Sequence, residues 1–306
     1  MCYTVFTLEV KMRIDKWIDK YTGSLAGKLV AVSGSTGGLG RELCFYLVGL
    51  GASLVLVDRN YAKSKDFADE LARFCPSVKI ELVTADMSDM ASVREATRRL
   101  GEMELDYLVL NAGAYSIPRC TTDAGFDNVF QINFVSPYYM ARQLLPNIRR
   151  RGGRVVAVGS IAHNYSKIDE SDIDFSTRGQ ASLVYGNAKR FLTYSILDLS
   201  KGDVVIAHPG ITFTGITNHY PPLIFALIKH PMKIVFMKPK KAVLSILLGL
   251  FAECGRDSWI GPSVFDVWGL PKVKKLKTAS QKEREKICSI AEEIYNKTNI
   301  YNEKSG

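Results

Sequence analysis

A glycine-rich turn between an apolar run and a helical pattern constrains this chain more than any other feature. Residues 29–32 are apolar, the turn has the form Gly34-x-x-x-Gly38-x-Gly40, and apolar residues at helical spacing continue to Leu50. This order predicts a strand, a tight turn and the beginning of a helix. Glycine permits positive φ and close approach of a ligand, and the N–H groups at a helix N-terminus attract phosphate. The stretch therefore predicts a dinucleotide site at the edge of a parallel sheet.

Strand and helix patterns alternate six times along the chain, and the connections between them are short. We therefore predict an α/β fold of the Rossmann type, a single domain with a doubly wound parallel sheet and helices on both faces. Ligands of such sheets bind at the carboxyl ends of the strands. The residues that follow the predicted strands include Gly34–Gly40, Asp58, Asp86, Asn111–Gly113, Ser160 and Pro209–Gly210.

Asp58 ends the second predicted strand. A carboxylate at this place accepts hydrogen bonds from the ribose of an adenosine, which favours NAD as the cofactor. Arg59 beside it is suited to a 2′-phosphate and leaves NADP open. Asp58 also fits a second role, as the cap of the helix that begins near Tyr61. Asp86, after the third strand, fits either the flank of the adenine, together with Met87, or a turn.

Tyr185 and Lys189 lie four residues apart in a helical pattern over residues 182–200, so they share one helix face. An ordinary tyrosine has a pKa of about 10, and a nearby ammonium group lowers it toward the range of a useful base. Ser160, at the end of the preceding strand, is placed to hold a substrate oxygen. A solvated helix face would explain the Tyr–Lys pair alone, but its combination with Ser160 and Asn133 favours hydride-transfer chemistry, which also requires movement of a proton.

These motifs resemble those of the short-chain dehydrogenase/reductase family over residues 25–270. The glycine turn, Asn111-Ala112-Gly113, Tyr185-x-x-x-Lys189 and Pro209-Gly210-x-x-x-Thr214 match its motifs, although Leu110 replaces an asparagine and Ala188 replaces a common serine. The long spacing from Ser160 to Tyr185 resembles the retinol dehydrogenase branch.

The resemblance implies a role for each matching residue. The catalytic residues would be Asn133, Ser160, Tyr185 and Lys189, with Asn133 ordering a water that links Lys189 to solvent. The cofactor, NAD with NADP as the alternative, would be bound by Ser33, Gly34, Thr36, Gly38, Leu39, Gly40, Asp58, Arg59, Asp86, Met87, Asn111, Ala112, Gly113, Tyr185, Lys189, Pro209, Gly210 and Thr214.

The segment that follows Gly210 contains no acidic residue. Residues 204–252 contain five lysines and many large apolar residues. The resemblance makes residues 211–240 a substrate lid, and their composition favours an apolar substrate such as a steroid, a retinoid or another lipid-like alcohol. Two other interpretations stay open: a peripheral membrane contact through residues 220–250, and a dimer surface.

The chain divides into three predicted parts. Residues 1–26 contain a lead-in helix, residues 27–270 form the dinucleotide-binding domain with its lid, and residues 271–306 form a basic C-terminal helix and tail. Apolar residues at helical spacing, Ile287, Ile290 and Ile294, predict that this last helix closes the domain. We expect its charged residues to form a solvated face.

Charge and cysteine content exclude other classes of protein. The net charge is +9, from 40 basic and 31 acidic residues, without a dense basic block, so we expect no nucleic-acid partner. The six cysteines show no metal or disulfide spacing, which predicts no metal site and a cytoplasmic location. The first ten residues lack a basic region and no apolar run reaches 18 residues, so neither a secretory signal nor a membrane span is expected.

We therefore predict an NAD(P)-dependent oxidoreductase that interconverts an apolar secondary alcohol and its ketone, with Tyr185 as the acid and base. The resemblance implies a homodimer or homotetramer. Two alternatives are a protein that binds the cofactor as a sensor or scaffold without catalysis, and a peripheral membrane protein that serves lipid contact.

Overall fold

An eight-stranded sheet lies at the centre of the computed structural model, which describes residues 14–211, 237–276 and 279–300. Most of its strands are valine-rich runs that are buried on both faces, as in sheets covered by helices on both sides. The strands are β1 Leu29–Ser33, β2 Ser53–Asp58, β3 Ile80–Thr84, β4 Tyr107–Leu110, β5 Arg154–Val158, β6 Val204–Ala207, β7 Ser258–Val264 and β8 Trp268–Lys275.

The strand order is β3-β2-β1-β4-β5-β6-β7-β8. Strands β1 to β7 pair in parallel, and β8 pairs antiparallel with β7 at one edge. Chain order reverses between β1 and β4, so the carboxyl ends of these two strands border a crevice. This confirms the predicted Rossmann-type sheet.

Helices cover both faces of the sheet, as predicted. One face packs against α4, α6, α7 and α10, and the other packs against α1, α2, α3 and α9. The helices are α1 (residues 14–21), α2 Gly38–Gly49, α3 Tyr61–Phe74, α4 Met90–Gly101, α5 Asn128–Phe130, α6 Ser136–Arg150, α7 Ala181–Asp198, α8 Pro239–Ala242, α9 Leu244–Gly249 and α10 Gln281–Ile300.

The C-terminal part differs from its prediction in two respects. Strand β8 runs across residue 270, where the sequence places a domain boundary, because this strand completes the sheet beside β7. Helix α10 does bury the predicted apolar positions, but two of its acidic residues also form ion pairs with other helices, Glu283 while largely buried and Glu292 while partly exposed. Glu283 pairs with the buried Arg190, and Glu292 pairs with Arg142.

Residues 242–250 are buried against the sheet, so the proposed membrane contact is wrong for this part of the range 220–250. The residues 212–236, which hold most of the predicted lid, lie outside the described residues. Within the described ranges, no helix combines the length and the apolar character that crossing a bilayer requires.

Helix α6 continues α5 through a π-helical segment, Gln131–Val135. Pro137 does not interrupt α6, because it lies in the first turn of this helix, where proline is tolerated. The irregularity is instead the π-helical segment, and Asn133 lies at its centre. Such segments occur frequently at functional sites.

Candidate active site

The glycine-rich turn is closed tightly against the loop that follows β4. Gly34 has a φ of +65°, and a Cβ atom added to it would lie 2.9 Å from the Cα atom of Ala112. A Cβ atom added to Gly40 would overlap the carbonyl oxygen of Gly34. Both positions therefore require glycine, because a side chain at either one would force the turn open.

Ser33 and Asn111 tie this turn to β4. The Ser33 hydroxyl accepts hydrogen bonds from the backbone N–H groups of Asn111 and Ala112, both at 3.0 Å. The Asn111 amide donates to the carbonyl oxygens of Ser33 and Gly34, also at 3.0 Å. These side chains shape the turn from within the protein, and their predicted contact with a cofactor stays a prediction.

The N-terminus of α2 is open toward a ligand. Gly38 and Leu39 are its first two residues, and its N-cap residue is the exposed Gly37, which has no side chain to cap the first N–H groups. The next two helices, in contrast, are capped by the side chains of Asn60 and Asp89. Uncapped N–H groups at the carboxyl end of a strand suit a pyrophosphate, so this turn fits a dinucleotide.

Asp58 braces the turn. Its Oδ1 atom accepts hydrogen bonds from the backbone N–H of Thr36 at 3.2 Å and the Thr36 hydroxyl at 3.0 Å, and its Oδ2 atom accepts one from the Ser35 hydroxyl. Burial raises the pKa of Asp58, and these hydrogen bonds oppose that rise. The alternative role as a helix cap is wrong, because Asn60 caps α3. Arg59 is exposed beside it.

Asp86 occupies a turn after β3. Its Oδ1 atom accepts hydrogen bonds from the backbone N–H of Ser88 at 2.9 Å and from the Ser88 hydroxyl at 2.6 Å. These bonds fit the turn interpretation, because they hold the chain where it enters α4, and the predicted place of Asp86 beside the adenine stays a prediction. Met87 is buried, and its carbonyl oxygen accepts a hydrogen bond from Ser136 at 2.7 Å.

Asn133 joins the π-helical segment to the loop after β4. Its amide donates to the carbonyl oxygens of Ala114 at 2.7 Å and Val129 at 2.9 Å. A Cβ atom added to Gly113 would lie 2.8 Å from Asn133 Oδ1 and 3.7 Å from Lys189 Nζ, so Gly113 lies between these two side chains. The structure therefore brings Asn133 and Lys189 to the same place, although they are 56 residues apart in the chain.

Ser160, Tyr185 and Lys189 meet at the carboxyl end of β5. The Ser160 side chain lies beside Tyr185 and lowers its pKa, and Lys189 Nζ donates to the carbonyl oxygen of Val158 at 2.8 Å. Lys189 Nζ lies 5.7 Å from the centroid of the Tyr185 ring. The four predicted catalytic residues are thus gathered beside the glycine-rich turn by the π-helical segment, β5 and α7.

Burial moves the pKa values at this site. It raises the pKa of Tyr185 to about 12, the Ser160 hydrogen bond lowers that value, and nearby Tyr115 raises it. Burial lowers the pKa of Lys189 to about 7. The predicted lowering of the Tyr185 pKa by Lys189 therefore does not dominate, because desolvation favours the neutral form of both groups. Tyrosine is then protonated at neutral pH.

Pro209 and Gly210 follow β6 at the same edge of the sheet. The residue before them, His208, stacks on Trp259 with a centroid distance of 5.4 Å. Its Nε2 atom lies 2.9 Å from the carbonyl oxygen of Asp266, and burial lowers its pKa to about 4. Thr214, the last predicted cofactor contact, lies outside the described residues.

Sequence patterns did not reveal the residues that position the apolar surface beside Tyr185. The Tyr115 ring meets the Tyr185 ring edge-on at 5.2 Å. Arg119 pairs with the buried Asp127 and donates to the carbonyl oxygens of Phe175 and Arg178, both at 2.8 Å. Phe175 has a φ of +56°, which is unusual for a bulky residue, so Arg119 holds a strained loop in place.

The surface beside Tyr185 is apolar. Tyr185 packs against a small cluster of apolar side chains formed by Ile117, Val129, Phe175, Leu183 and Val184. A cavity of about 670 Å³ next to this cluster is of mixed character, because its lining includes Phe175 and Leu183 but also the charged Lys167, Asp169, Glu170 and Arg178. Polar groups for proton transfer therefore lie next to an apolar surface.

Comparisons with known proteins show which family and fold this chain resembles. The family model of the short chain dehydrogenases matches residues 28–171. An uncharacterized oxidoreductase of Schizosaccharomyces pombe is 30% identical over 258 residues, which cover 76% of this chain and 74% of that protein. A crystal structure of an uncharacterised protein from Mycobacterium paratuberculosis superposes with a TM-score of 0.71 at 22% identity, covering 90% of this chain and 95% of that one.

Two further relatives from Mus musculus have named activities. A polyprenol dehydrogenase is 29% identical over 63% of this chain and 62% of its own length. Retinol dehydrogenase 12 is 28% identical over 64% of this chain and 65% of its own length. The chain thus matches less than two thirds of the length of either relative.

Proposed function

Because the chain belongs to the short-chain dehydrogenase family, in its retinol dehydrogenase-like branch, we propose that it is an NAD(P)-dependent oxidoreductase that interconverts an apolar secondary alcohol and its ketone. The observation that carries this proposal is the meeting of Ser160, Tyr185 and Lys189 at the carboxyl end of β5, with Asn133 beside them. These groups face the same sheet edge as the open N-terminus of α2.

The residues present fit a dinucleotide. The glycine-rich turn and the first N–H groups of α2 would hold its pyrophosphate, and Asp58 and Arg59 would lie near the adenosine ribose. Lys189 and the residues Pro209 and Gly210 would lie on the nicotinamide side, as the family resemblance implies. When bound, the nicotinamide supplies or accepts a hydride.

The protein's own part in the reaction is to hold the substrate oxygen and to move its proton. In the reducing direction, the Tyr185 hydroxyl gives its proton to the carbonyl oxygen while the carbonyl carbon gains the hydride. In the oxidising direction, Tyr185 must first lose its own proton and then takes the proton from the alcohol. Its raised pKa keeps it protonated near neutral pH, which favours the acid role. Ser160 would hold the oxygen through its hydroxyl.

Lys189 would restore the Tyr185 proton. Its pKa of about 7 lets it gain and lose a proton in the neutral range. Asn133 uses its side-chain amide for bonds to Ala114 and Val129, which hold the π-helical segment beside Lys189. That Asn133 also orders a water molecule is a prediction from the family resemblance.

NAD is the cofactor that we propose. The carboxylate of Asp58 is held at the carboxyl end of β2 by Ser35 and Thr36, and there its negative charge disfavours a 2′-phosphate. The exposed Arg59 favours NADP instead. Initial rates with each cofactor at equal concentration decide between them.

An apolar substrate is supported by the cluster of Ile117, Val129, Phe175, Leu183 and Val184 beside Tyr185 and by the names of the two mouse relatives. The test is a panel of steroids, retinoids, polyprenols and short aliphatic alcohols, with their carbonyl forms, followed by the absorbance of reduced nicotinamide. We expect turnover of an apolar member. Cofactor binding without turnover of any member would instead favour a sensor or scaffold.

Two predictions about partners also belong to this proposal. Light scattering after size-exclusion chromatography tests the homodimer or homotetramer that the family resemblance implies. Co-sedimentation with anionic vesicles tests the peripheral membrane contact that stays open outside residues 242–250, and salt-sensitive binding would support it.

A further inference from the structure

The C-terminal helix α10 reaches the catalytic helix α7 through a buried ion pair. Arg190 follows Lys189 directly in α7 and is only 3% exposed. Its guanidinium group contacts Glu283 of α10 with two nitrogen atoms: Nε lies 2.8 Å from one carboxylate oxygen, and a terminal nitrogen lies 2.8 Å from the other. This two-point contact fixes the plane of the guanidinium group.

The other terminal nitrogen of Arg190 continues this contact toward the active site. It donates to the carbonyl oxygen of His163 at 2.8 Å. His163 lies in the short helical turn Ile161–Asn164, and both its backbone N–H, at 3.1 Å, and its Nδ1 atom, at 2.6 Å, contact the carbonyl oxygen of Ser160. Ser160 is the residue whose hydroxyl meets Tyr185.

We propose that Glu283 and Arg190 are positioning residues, which hold the turn after Ser160 so that its hydroxyl stays beside Tyr185. This inference rests on the proposed function of Ser160 and Tyr185. It makes α10 part of the catalytic apparatus, although no residue of this helix belongs to the predicted catalytic set.

The physical reason is the cost of a buried charge. Without the Glu283 carboxylate, the Arg190 guanidinium would lose its counter-charge in a site that excludes water, and it would turn toward solvent or another acceptor. Its hydrogen bond to the His163 carbonyl would then be lost. The turn at residues 160–164 would lose a contact that ties it to α7 and α10 together.

The same helix offers a matched control. Glu292, more than two turns further along α10, pairs with Arg142 of α6. Arg142 also lies over the ring of Tyr295, at 4.2 Å from its centroid, and donates to the Tyr138 hydroxyl. This pair anchors α10 as the Glu283 pair does, but these contacts lead to α6 and α10 rather than to Ser160.

The test compares Glu283→Gln with Glu292→Gln in the full chain, using the best substrate of the panel. We expect Glu283→Gln to lower kcat roughly 10- to 100-fold with a much smaller change in KM, because a small displacement of an aligned group mainly lowers the rate of the chemical step. Glu292→Gln should lower the melting temperature about as much as Glu283→Gln does, and it should leave kcat within about twofold of the wild type. Equal loss of kcat in both variants, or none in Glu283→Gln, would overturn the proposal.

A second measurement does not depend on turnover. Hydrogen exchange of the backbone amides at residues 160–166 should become faster in Glu283→Gln and stay unchanged in Glu292→Gln. Unchanged exchange in both variants overturns the positioning role. If the wild type turns over no substrate but hydrogen exchange responds as expected, the proposed function fails. The contact from Glu283 to Ser160 is then structural only, and the positioning role is overturned as well.

Discussion

The ammonium nitrogen of Lys189 lies 5.7 Å from the centroid of the Tyr185 ring, and burial shifts the pKa values of the two groups in opposite directions. The pKa of the tyrosine rises to about 12 and that of the lysine falls to about 7, so each is moved toward its neutral form. At neutral pH the site therefore presents a protonated tyrosine beside a lysine that is close to its midpoint. In this state the Tyr185 hydroxyl can donate its proton, as reduction of a ketone requires.

Replacement of Tyr185 by phenylalanine tests the proton transfer. We expect kcat to fall roughly 10²- to 10⁴-fold, because the variant has no hydroxyl proton to exchange. Cofactor affinity, measured by the fluorescence of reduced nicotinamide, should change little. Tyr115→Phe is the control, since it keeps the edge-on ring contact at 5.2 Å and loses only its own hydroxyl. A Tyr185→Phe enzyme with nearly normal kcat would contradict the assignment.

Replacement of Asp58 by asparagine tests the choice of cofactor. Removing the negative charge should raise kcat/KM for NADP relative to NAD on the order of tenfold. Arg59→Ala should move the ratio in the other direction, because it removes the exposed positive charge beside the site. The measurement is the pair of initial rates with each cofactor. A wild type that prefers NADP would show that Arg59 outweighs Asp58.

Replacement of Gly40 by alanine tests the glycine-rich turn. The new methyl group would overlap the Gly34 carbonyl oxygen, so we expect a loss of about 1–3 kcal/mol in the free energy of unfolding and weaker cofactor binding. Gly49, at the other end of α2, has open space where a Cβ atom would lie, and Gly49→Ala should stabilise the protein by up to about 1 kcal/mol. Urea titration distinguishes the two, and equal effects would show that the turn tolerates side chains.

The buried His208 predicts a loss of stability in acid. Its pKa is about 4 in the folded protein and 6.5 in the unfolded chain, so between these values only the unfolded chain takes up the proton. Stability present above pH 6.5 is therefore lost as the pH falls toward 4, by about 3 kcal/mol for this group. His208→Phe keeps a ring stacked on Trp259, and it should reduce the dependence of the free energy of unfolding on pH between 6.5 and 4. Burial also lowers the pKa of His163, so part of this pH dependence should persist in the variant.

Local sequence patterns predicted the elements and most of the candidate site. The alternation of apolar and helical stretches placed the strands, because hydrophobic spacing along the chain is a property of neighbouring residues. The spacing of Tyr185 and Lys189 placed both on one face of α7, and the position of Ser160 after a strand placed it at the sheet edge. Carboxyl ends of parallel strands meet at one edge, so these predictions needed no long-range information.

Contacts between distant parts of the chain decided what the sequence left open. Asp58 had two predicted roles, and only the folded turn shows it bonded to Ser35 and Thr36. The membrane interpretation of residues 242–250 is wrong because these residues pack against the sheet. Their apolar composition alone does not tell whether protein or lipid will cover them.

The sequence alone determined the Rossmann-type order of strands and helices and the identity of the glycine-rich turn, because both follow from local spacing and from the small size of glycine. The tertiary structure alone decided the pKa values of Tyr185 and Lys189 and the pairing of Arg190 with Glu283, which is 93 residues away in the chain. Both depend on desolvation and on charges brought together by folding, and neither quantity can be read from neighbouring residues.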